Sequence, residues 1–538
     1  MYVASIPKLR FRSGKTNHGP ILTKVYEATV KDMVEKIEDD GFFHTSKAGA
    51  PLFIEGKLTG KGTHHGVNWI RDTGQAIREL AHLRVVRVKK ACLWFTKHFL
   101  NDPPRWNRCM YRDGSGYGKY ETDGQALVLL GLLTACKYFD DPPWREKVWN
   151  EGCKPALAYF DYASNNSRFH HLLFAISEAS DKVRGSYDIY SNTLACDALR
   201  LAAPLLETRN LNARLLRELE GTIWRNVLTH LTSDDRKTWI HARFADGQAQ
   251  DFMRYDFYKV IHFQHVLFEL APLFLAPDTR TYDPVADMLA NELRLCRNTF
   301  WVIYDLSRKW LEAHRVPHLF VGNAWGMAPI PEEFEWDNNA YHTSIQFGHG
   351  LFTQAALLLD EMDISKQAIE TIALGCDNPE FGKKWRYVTP QNFYLDRKGN
   401  VRGSGDIGNL TNDAENLKIL RIMIGVDDNS DKLRVMPRMP AGWGMEVGDY
   451  PVSLIKGNTI THNTVSYRLR AEKRRIAFSM SLKRECDDLS VRLGPIPKET
   501  KDGSIQCSAR GRIVKSGDSQ WVVCERLKGK QFDLECTY

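Results

Sequence analysis

The sequence predicts a mainly helical protein, an (α/α)6 barrel over residues 1–428 followed by a small C-terminal β-sandwich over 429–538. Three observations predict it. Apolar residues recur at helical spacing up to about residue 425, and two-residue alternation replaces them afterwards, as in Val465-Ser-Tyr-Arg-Leu-Arg470 and Ile476-Ala-Phe-Ser-Met-Ser-Leu482. The helical segments alternate between apolar on every face and apolar on one face. Each fully apolar helix follows a loop rich in acids, amides and aromatics. The Pro- and Gly-rich stretch Leu433-Arg-Val-Met-Pro-Arg-Met-Pro-Ala-Gly-Trp443 separates the two parts.

Helices are expected near 20–38, 72–83, 85–100, 123–138, 145–161, 190–206, 211–230, 257–274, 283–299, 340–360, 363–375 and 411–425. The even-numbered ones, such as Ala126-Leu-Val-Leu-Leu-Gly-Leu-Leu133, Val260-Ile-His-Phe-Gln-His-Val-Leu-Phe268 and Leu351-Phe-Thr-Gln-Ala-Ala-Leu-Leu-Leu359, have no polar side and belong inside. Odd-numbered ones such as Asn212-Ala-Arg-Leu-Leu-Arg-Glu-Leu-Glu-Gly-Thr-Ile223 carry charge along one face and belong outside.

The chain has 73 Lys+Arg against 66 Asp+Glu, a net charge of +7 that is too dilute for a nucleic-acid partner. No window reaches about 18 uninterrupted apolar residues, so no membrane span is expected. The first residues lack a basic-then-apolar leader, which predicts a cytoplasmic protein or one already processed for secretion or the periplasm. Eleven scattered cysteines without close metal-type spacing predict free thiols and no metal. No phosphate loop or dinucleotide fingerprint is present, so no cofactor is expected.

The loops ahead of the inner helices carry the functional signal. They read His64-His-Gly-Val-Asn-Trp-Ile-Arg-Asp72, Tyr117-Gly-Lys-Tyr-Glu-Thr-Asp123, Gly185-Ser-Tyr-Asp-Ile-Tyr-Ser-Asn192, Met253-Arg-Tyr-Asp-Phe-Tyr258, Glu332-Glu-Phe-Glu-Trp-Asp-Asn-Asn-Ala-Tyr-His342 and Gly403-Ser-Gly-Asp-Ile-Gly-Asn-Leu-Thr-Asn-Asp-Ala-Glu415. Their acids recur about every 50–80 residues, the length of one helical hairpin, which would bring all six loops to one end of a barrel. Helix capping accounts for any single acid. It does not account for the aromatics beside them: Trp69, Tyr120, Tyr187, Tyr190, Tyr255, Trp336 and Tyr341. Acids and amides holding hydroxyls, next to aromatic faces, describe a carbohydrate site. On that reading Trp69, Glu121, Asp123, Tyr190, Asn192, Arg254, Asp256, Trp336, Tyr341 and His342 contact substrate. Cleaving a glycosidic bond usually requires two carboxyl groups, one to protonate the leaving oxygen and one to activate water or attack the sugar. Glu335 and Asp337, flanking Trp336, are candidates for either role.

Asn68-Trp-Ile-Arg-Asp72 followed by Tyr120-Glu-Thr-Asp-Gly-Gln-Ala126 resembles the W-x-R-D … D-G-x-A pattern of glucoamylase-like glycoside hydrolases, family 15 and its six-hairpin relatives. The resemblance implies that Arg71 and Asp72 grip hydroxyls of the non-reducing sugar and impose an exo mode of attack. It places Asp188 as general acid, where the family has Glu. The family base lies between the last two helices. The Glu expected near the start of 389–415 is replaced by Gln391 or Asn392, and Asp406, flanked by glycines, takes the role. The reading is an inverting, exo-acting glycoside hydrolase. A phosphorylase, a polysaccharide lyase using Asn338-Asn-Ala-Tyr-His342, a hydrolase of uronic-acid ends and a carbohydrate-binding barrel without a catalytic pair are the alternatives.

Overall fold

The structure, a computed structural model, describes residues 6–54, 57–61, 64–101, 104–118, 121–175, 186–232, 240, 242–249, 343–395, 400–429 and 431–538. The helices expected at 257–274 and 283–299 lie outside the described residues.

The helical part runs through α1 (His18–Glu35), α2 (Ile70–His82), α3 (Val88–Lys97), α4 (Thr122–Tyr138), α5 (Pro142–Val148), α6 (Lys154–Asn165), α7 (Ile189–Glu207), α8 (Arg214–His230), α9 (Gln346–Leu358), α10 (Met362–Cys376) and α11 (Leu410–Ile424). Inside and outside separate as the apolar patterns require. Every residue of α4 is buried, whereas α8 buries only Ile223 and Val227. The inner helices pack in a run: α9 on α11, α11 on α2, α2 on α4 and α4 on α7. The outer helices lie behind their partners, α8 on α7 and α10 on α9, with α1 against α10 and α11.

Two departures from the expected helices have local causes. The helix expected over 145–161 is split into α5 and α6 by a wide π turn at Trp149–Cys153. Pro155 has no N–H to return to the carbonyl four residues back, and the Lys154 N–H instead reaches back five residues to the Trp149 carbonyl. The start expected near 340 for α9 is replaced within the described residues by a strand, Thr343–Ile345. That strand opens a five-stranded sheet ordered Thr343–Ile345, Pro390–Leu395, Val401–Ile407, Pro51–Ile54, Lys57–Lys61.

Two glycines set the spacing of α2 and α4. A Cβ on Gly74 would sit 2.5 Å from the Leu127 carbonyl carbon and the Val128 nitrogen; one on Gly131 would sit 2.8 Å from the Gly74 oxygen. The helices therefore meet backbone to backbone.

After α11 the chain is strand-rich. Nine strands form one hydrogen-bonded sheet, and its edge strand is Lys8–Arg12, paired antiparallel with Gly444–Gly448. The N-terminal segment thus joins the sheet of the C-terminal part, which a division into 1–428 and 429–538 does not anticipate. The two longest strands, Arg475–Pro497 and Ser519–Thr537, are interrupted by register shifts where the sheet bends. Two buried carboxylates fasten this sheet to the helices. Asp428 accepts from Lys137 Nζ at 2.9 Å, from the Tyr138 hydroxyl at 2.8 Å and from the Ser453 N–H at 2.6 Å. Asp360, just beyond α9, accepts from Arg492 at 2.7 Å and from Arg438 at 3.3 Å.

Gly74→Ala should lower stability by about 1–3 kcal/mol, because its methyl has only rigid backbone to displace. Gly221→Ala on the exposed α8, where a Cβ meets nothing within 4 Å, should raise stability by about 0.5–1 kcal/mol. Urea unfolding of both variants checks the pair of signs.

Candidate active site

The rim of the site is built by short strands. Asn68–Trp69 pairs with Cys109–Met110, which pairs with Gly116–Tyr117. Asp113-Gly114 makes the turn: Asp113 accepts the Ser115 N–H at 3.0 Å, and Gly114 sits at φ 86° against the His98 ring, where a Cβ would not fit. This small sheet sets Tyr117 edge-on to Trp69, with ring centroids 6.1 Å apart, and lays the Arg108 guanidinium 5.4 Å above the indole. Trp69 is half-buried and Tyr117 is 51% exposed, so both can offer a ring surface to a ligand.

Below the rim the first turns of α2, α4 and α11 come together. Arg71 donates through Nε to Asp123 at 2.9 Å and through Nη2 to Glu121; Arg108 Nε lies 3.0 Å from the same Glu121 oxygen. Asp72 accepts a hydrogen bond from the Thr411 side chain. Burial pushes the Asp72 carboxyl above the usual carboxylate range, against the pull of that hydrogen bond and of Arg71, His64 and Arg108. On the other side, His64 Nδ1 lies 3.0 Å from Asp406 Oδ2. Asp406 is fixed by the antiparallel strand Val401–Ile407, where it pairs with Leu52 and its N–H donates to Gln391 Oε1 at 3.2 Å. The Asp406 hydrogen bond raises His64 above the ordinary imidazole range, while burial opposes it; the Asp72 charge adds to the rise. One imidazole thus pairs with the Asp406 carboxyl and feels the charge of Asp72, which comes from a different part of the chain.

The expected site residues divide into three groups. Trp69, Asp72 and Asp406 are together at this rim, with His64. Arg71, Glu121 and Asp123 are there too, but buried against one another: the guanidinium expected to grip sugar hydroxyls is committed to two carboxylates. Asp188, Tyr190 and Asn192, expected in a substrate-facing loop, are buried. Asp188 caps α7: Oδ1 accepts the Ser191 N–H at 2.7 Å, Oδ2 accepts the Ser191 hydroxyl at 3.1 Å, and no surface is left to solvent. Asn192 clasps the Leu173 backbone, accepting its N–H at 2.7 Å and donating to its carbonyl at 3.1 Å. Arg254, Asp256, Glu335, Trp336, Asp337, Tyr341 and His342 lie outside the described residues. Arg108 and Tyr117 were not among the sequence candidates. Asp113-Gly114 between Cys109-Met110 and Gly116-Tyr117 is the hairpin signal that points to them. Among the described residues no three His, Cys, Asp or Glu side chains are grouped as metal ligands, and no helix is long and apolar enough to cross a membrane.

No family model and no curated protein matches the sequence. Solved structures do match in fold. An α-L-rhamnosidase from Dictyoglumus thermophilum aligns over 99% of this chain and 51% of its own, with TM-score 0.53 and 10% identity. A Streptomyces avermitilis α-L-rhamnosidase, solved with L-rhamnose, aligns over 99% of this chain and 42% of its own, with TM-score 0.53 and 11% identity. A family 78 rhamnosidase of Bacillus sp. GL1 aligns over 86% of this chain and 40% of its own, with TM-score 0.50 and 11% identity. The chain spans about half the length of these three rhamnosidases, or less. The expected likeness in fold to helical-barrel glycoside hydrolases holds.

His64 has a folded-state pKa above its ordinary 6.5, so its interaction with Asp406 favours the folded state fully below that pH and is lost as pH rises through the raised value. Histidine NMR should give His64 a midpoint above 6.5 that falls in Asp406→Asn. An unchanged midpoint would show that the pair is not formed in solution.

Proposed function

We propose that this protein is a glycoside hydrolase that removes a terminal sugar from an oligo- or polysaccharide, in the exo mode and with inversion. The observation that carries the reading is the contact of Asp406 with His64, which also feels the charge of Asp72, where loops distant in sequence meet and where Trp69, three residues before Asp72, stands edge-on to Tyr117. The rhamnosidase names of the fold neighbours support it. The reading takes the packed run α9–α11–α2–α4–α7 as the described arc of a full (α/α)6 barrel, with the helices expected at 257–274 and 283–299 as the remaining hairpin.

In this mechanism the sugar ring lies on the aromatic rim, its C–H face against Trp69 or Tyr117. Asp72 holds a hydroxyl; because its proton is retained to higher pH than in an ordinary aspartate, it can donate as well as accept. Asp406 is the general base, oriented by His64 and the Gln391 contact, and takes the proton of the attacking water. Arg71 and Arg108 neutralise Glu121 and Asp123 and so keep the rim from accumulating negative charge. With Asp188 committed to the α7 cap, Glu335 and Asp337 are the candidates for the acid that protonates the leaving oxygen.

The test is sugar release from a panel of aryl glycosides, α-L-rhamnoside among them, and from oligosaccharides, followed by proton NMR to read the first-formed anomer. Asp406→Asn should lower kcat by about 10²–10⁴ with little change in thermal midpoint. Asp188→Asn should keep turnover. Wild-type turnover in Asp406→Asn would overturn the assignment of the base, and tight sugar binding without cleavage of any glycoside would overturn the hydrolase reading.

A further inference from the structure

The C-terminal sheet gathers three cysteines that the proposed chemistry does not use. Cys507 pairs across an antiparallel ladder with Cys536. The Ser508 N–H donates to the Glu535 carbonyl at 2.8 Å, which makes the neighbouring pair the hydrogen-bonded one. Cys507 and Cys536 therefore occupy a non-hydrogen-bonded position, where Cα atoms are about 4.5 Å apart and side chains are closest. That spacing lies inside the range a disulfide spans. Their Sγ atoms are 3.0 Å apart. The bend in the strand Ser519–Thr537 brings a third thiol to the same spot, with Cys524 Sγ 3.9 Å from Cys507 Sγ. Cys507 is partly exposed, and Cys524 and Cys536 are buried. Thiol donors from both neighbours hold Cys507 below the ordinary thiol range.

We propose that Cys507 and Cys536 form a reversible disulfide, with Cys507 as the sulfur that meets the oxidant and Cys524 as a third thiol able to exchange with the bond. The oxidant is a small-molecule disulfide of the glutathione class. The Cys507 thiolate attacks one of its sulfurs, forming a mixed disulfide and expelling one thiolate. Cys536, losing its proton, then attacks Cys507 Sγ and expels the second. Two protein thiols are oxidised, one small disulfide is reduced to two thiols, and both protons end on the released thiols. A second thiol group supplies the internal contrast. Cys153 hydrogen-bonds Cys136 with Cys92 beside them, but all three are buried, so no oxidant reaches them.

The experiment holds the full chain in graded mixtures of reduced and oxidised glutathione, traps free thiols with iodoacetamide and maps peptides by mass. The expected result is a linked 507–536 peptide pair that grows with the oxidised fraction and disappears on reduction, while Cys92, Cys136 and Cys153 stay thiols. Cys507→Ser should abolish both the link and any glutathione adduct in the cluster. Cys536→Ser should leave Cys507 either as a glutathione adduct or joined to Cys524, both of which keep Cys507 as the point of attack. In reduced wild-type protein, Cys507 should be alkylated roughly tenfold or more faster than Cys524 and Cys536, a readout that needs no variant to fold. A Cys507 that remains free in oxidised buffer, a link between other cysteines, or equal alkylation rates for the three would overturn the proposal.

Discussion

Charge buried among the inner helices must be paired there, and this constraint fixes how those helices stand against one another. Three polar contacts join successive turns of α2 to α11: Asp72 with Thr411, Gln75 with Lys418, and Glu79 with Arg421, whose Nε lies 2.9 Å from a Glu79 oxygen. Lys418 also holds Glu415 at 3.0 Å, and Gln354 of α9 donates to the same carboxylate. On the other side, Arg71 joins α2 to the first turn of α4. Removing one partner of such a buried pair costs about 3–5 kcal/mol, against about 0–1 kcal/mol for a surface pair such as Arg214–Glu218 on α8. A slip of α2 by one turn would break every rung together, so the ladder, more than the non-directional apolar packing, sets the register.

The same constraint delivers the candidate site. The top rung of the ladder is Asp72, and its partner Thr411 stands in the first turn of α11, which begins just after the strand that carries Asp406. Acids are favoured at helix N-termini by the free N–H groups and the helix dipole. Asp123 and Asp413 occupy such first turns, but each is paired with a buried cation, Asp123 with Arg71 and Asp413 with Lys36 at 2.9 Å. Asp72 and Asp406 differ in that their shared neighbour, His64, is itself 37% exposed. An acidic loop is common to all of these positions; a partner that still touches solvent distinguishes the two proposed to work on a ligand.

This explains what could be read from the sequence and what could not. The alternation of fully and partly apolar helices reports burial directly, and α4 and α8 fall on the sides it predicts. The convergence of the loops before α2, α4 and α11 was legible because each repeats the same residue types at hairpin spacing. The role of an individual acid was not. Asp188 and Asp406 have similar neighbours in sequence and both lie in paired strands, but Asp188 stands just before α7 and receives the N–H and hydroxyl of Ser191, whereas Asp406 stands short of α11 and meets His64. The sequence of 389–415 reads as a loop, whereas Pro390–Leu395 and Val401–Ile407 pair antiparallel; the aromatic and apolar run Phe393-Tyr-Leu395 is the strand signal there. The strand Lys8–Arg12 was invisible because its partner is remote and five residues carry too short a pattern to report it.

That edge strand has a consequence for how the chain can be divided. Lys8 is matched with Gly448 and Arg12 with Gly444, so the sheet is completed only after the intervening helices have been synthesised. Pairings across such sequence separation form late and slowly. A fragment cut after α11 would keep Lys8–Arg12 with its ladder groups unsatisfied, an adhesive edge in search of another strand. The complementary fragment would lose the outermost strand of its sheet. The two parts are distinct in texture but interleaved in topology, and work that needs them apart should move the first dozen residues along with the second part.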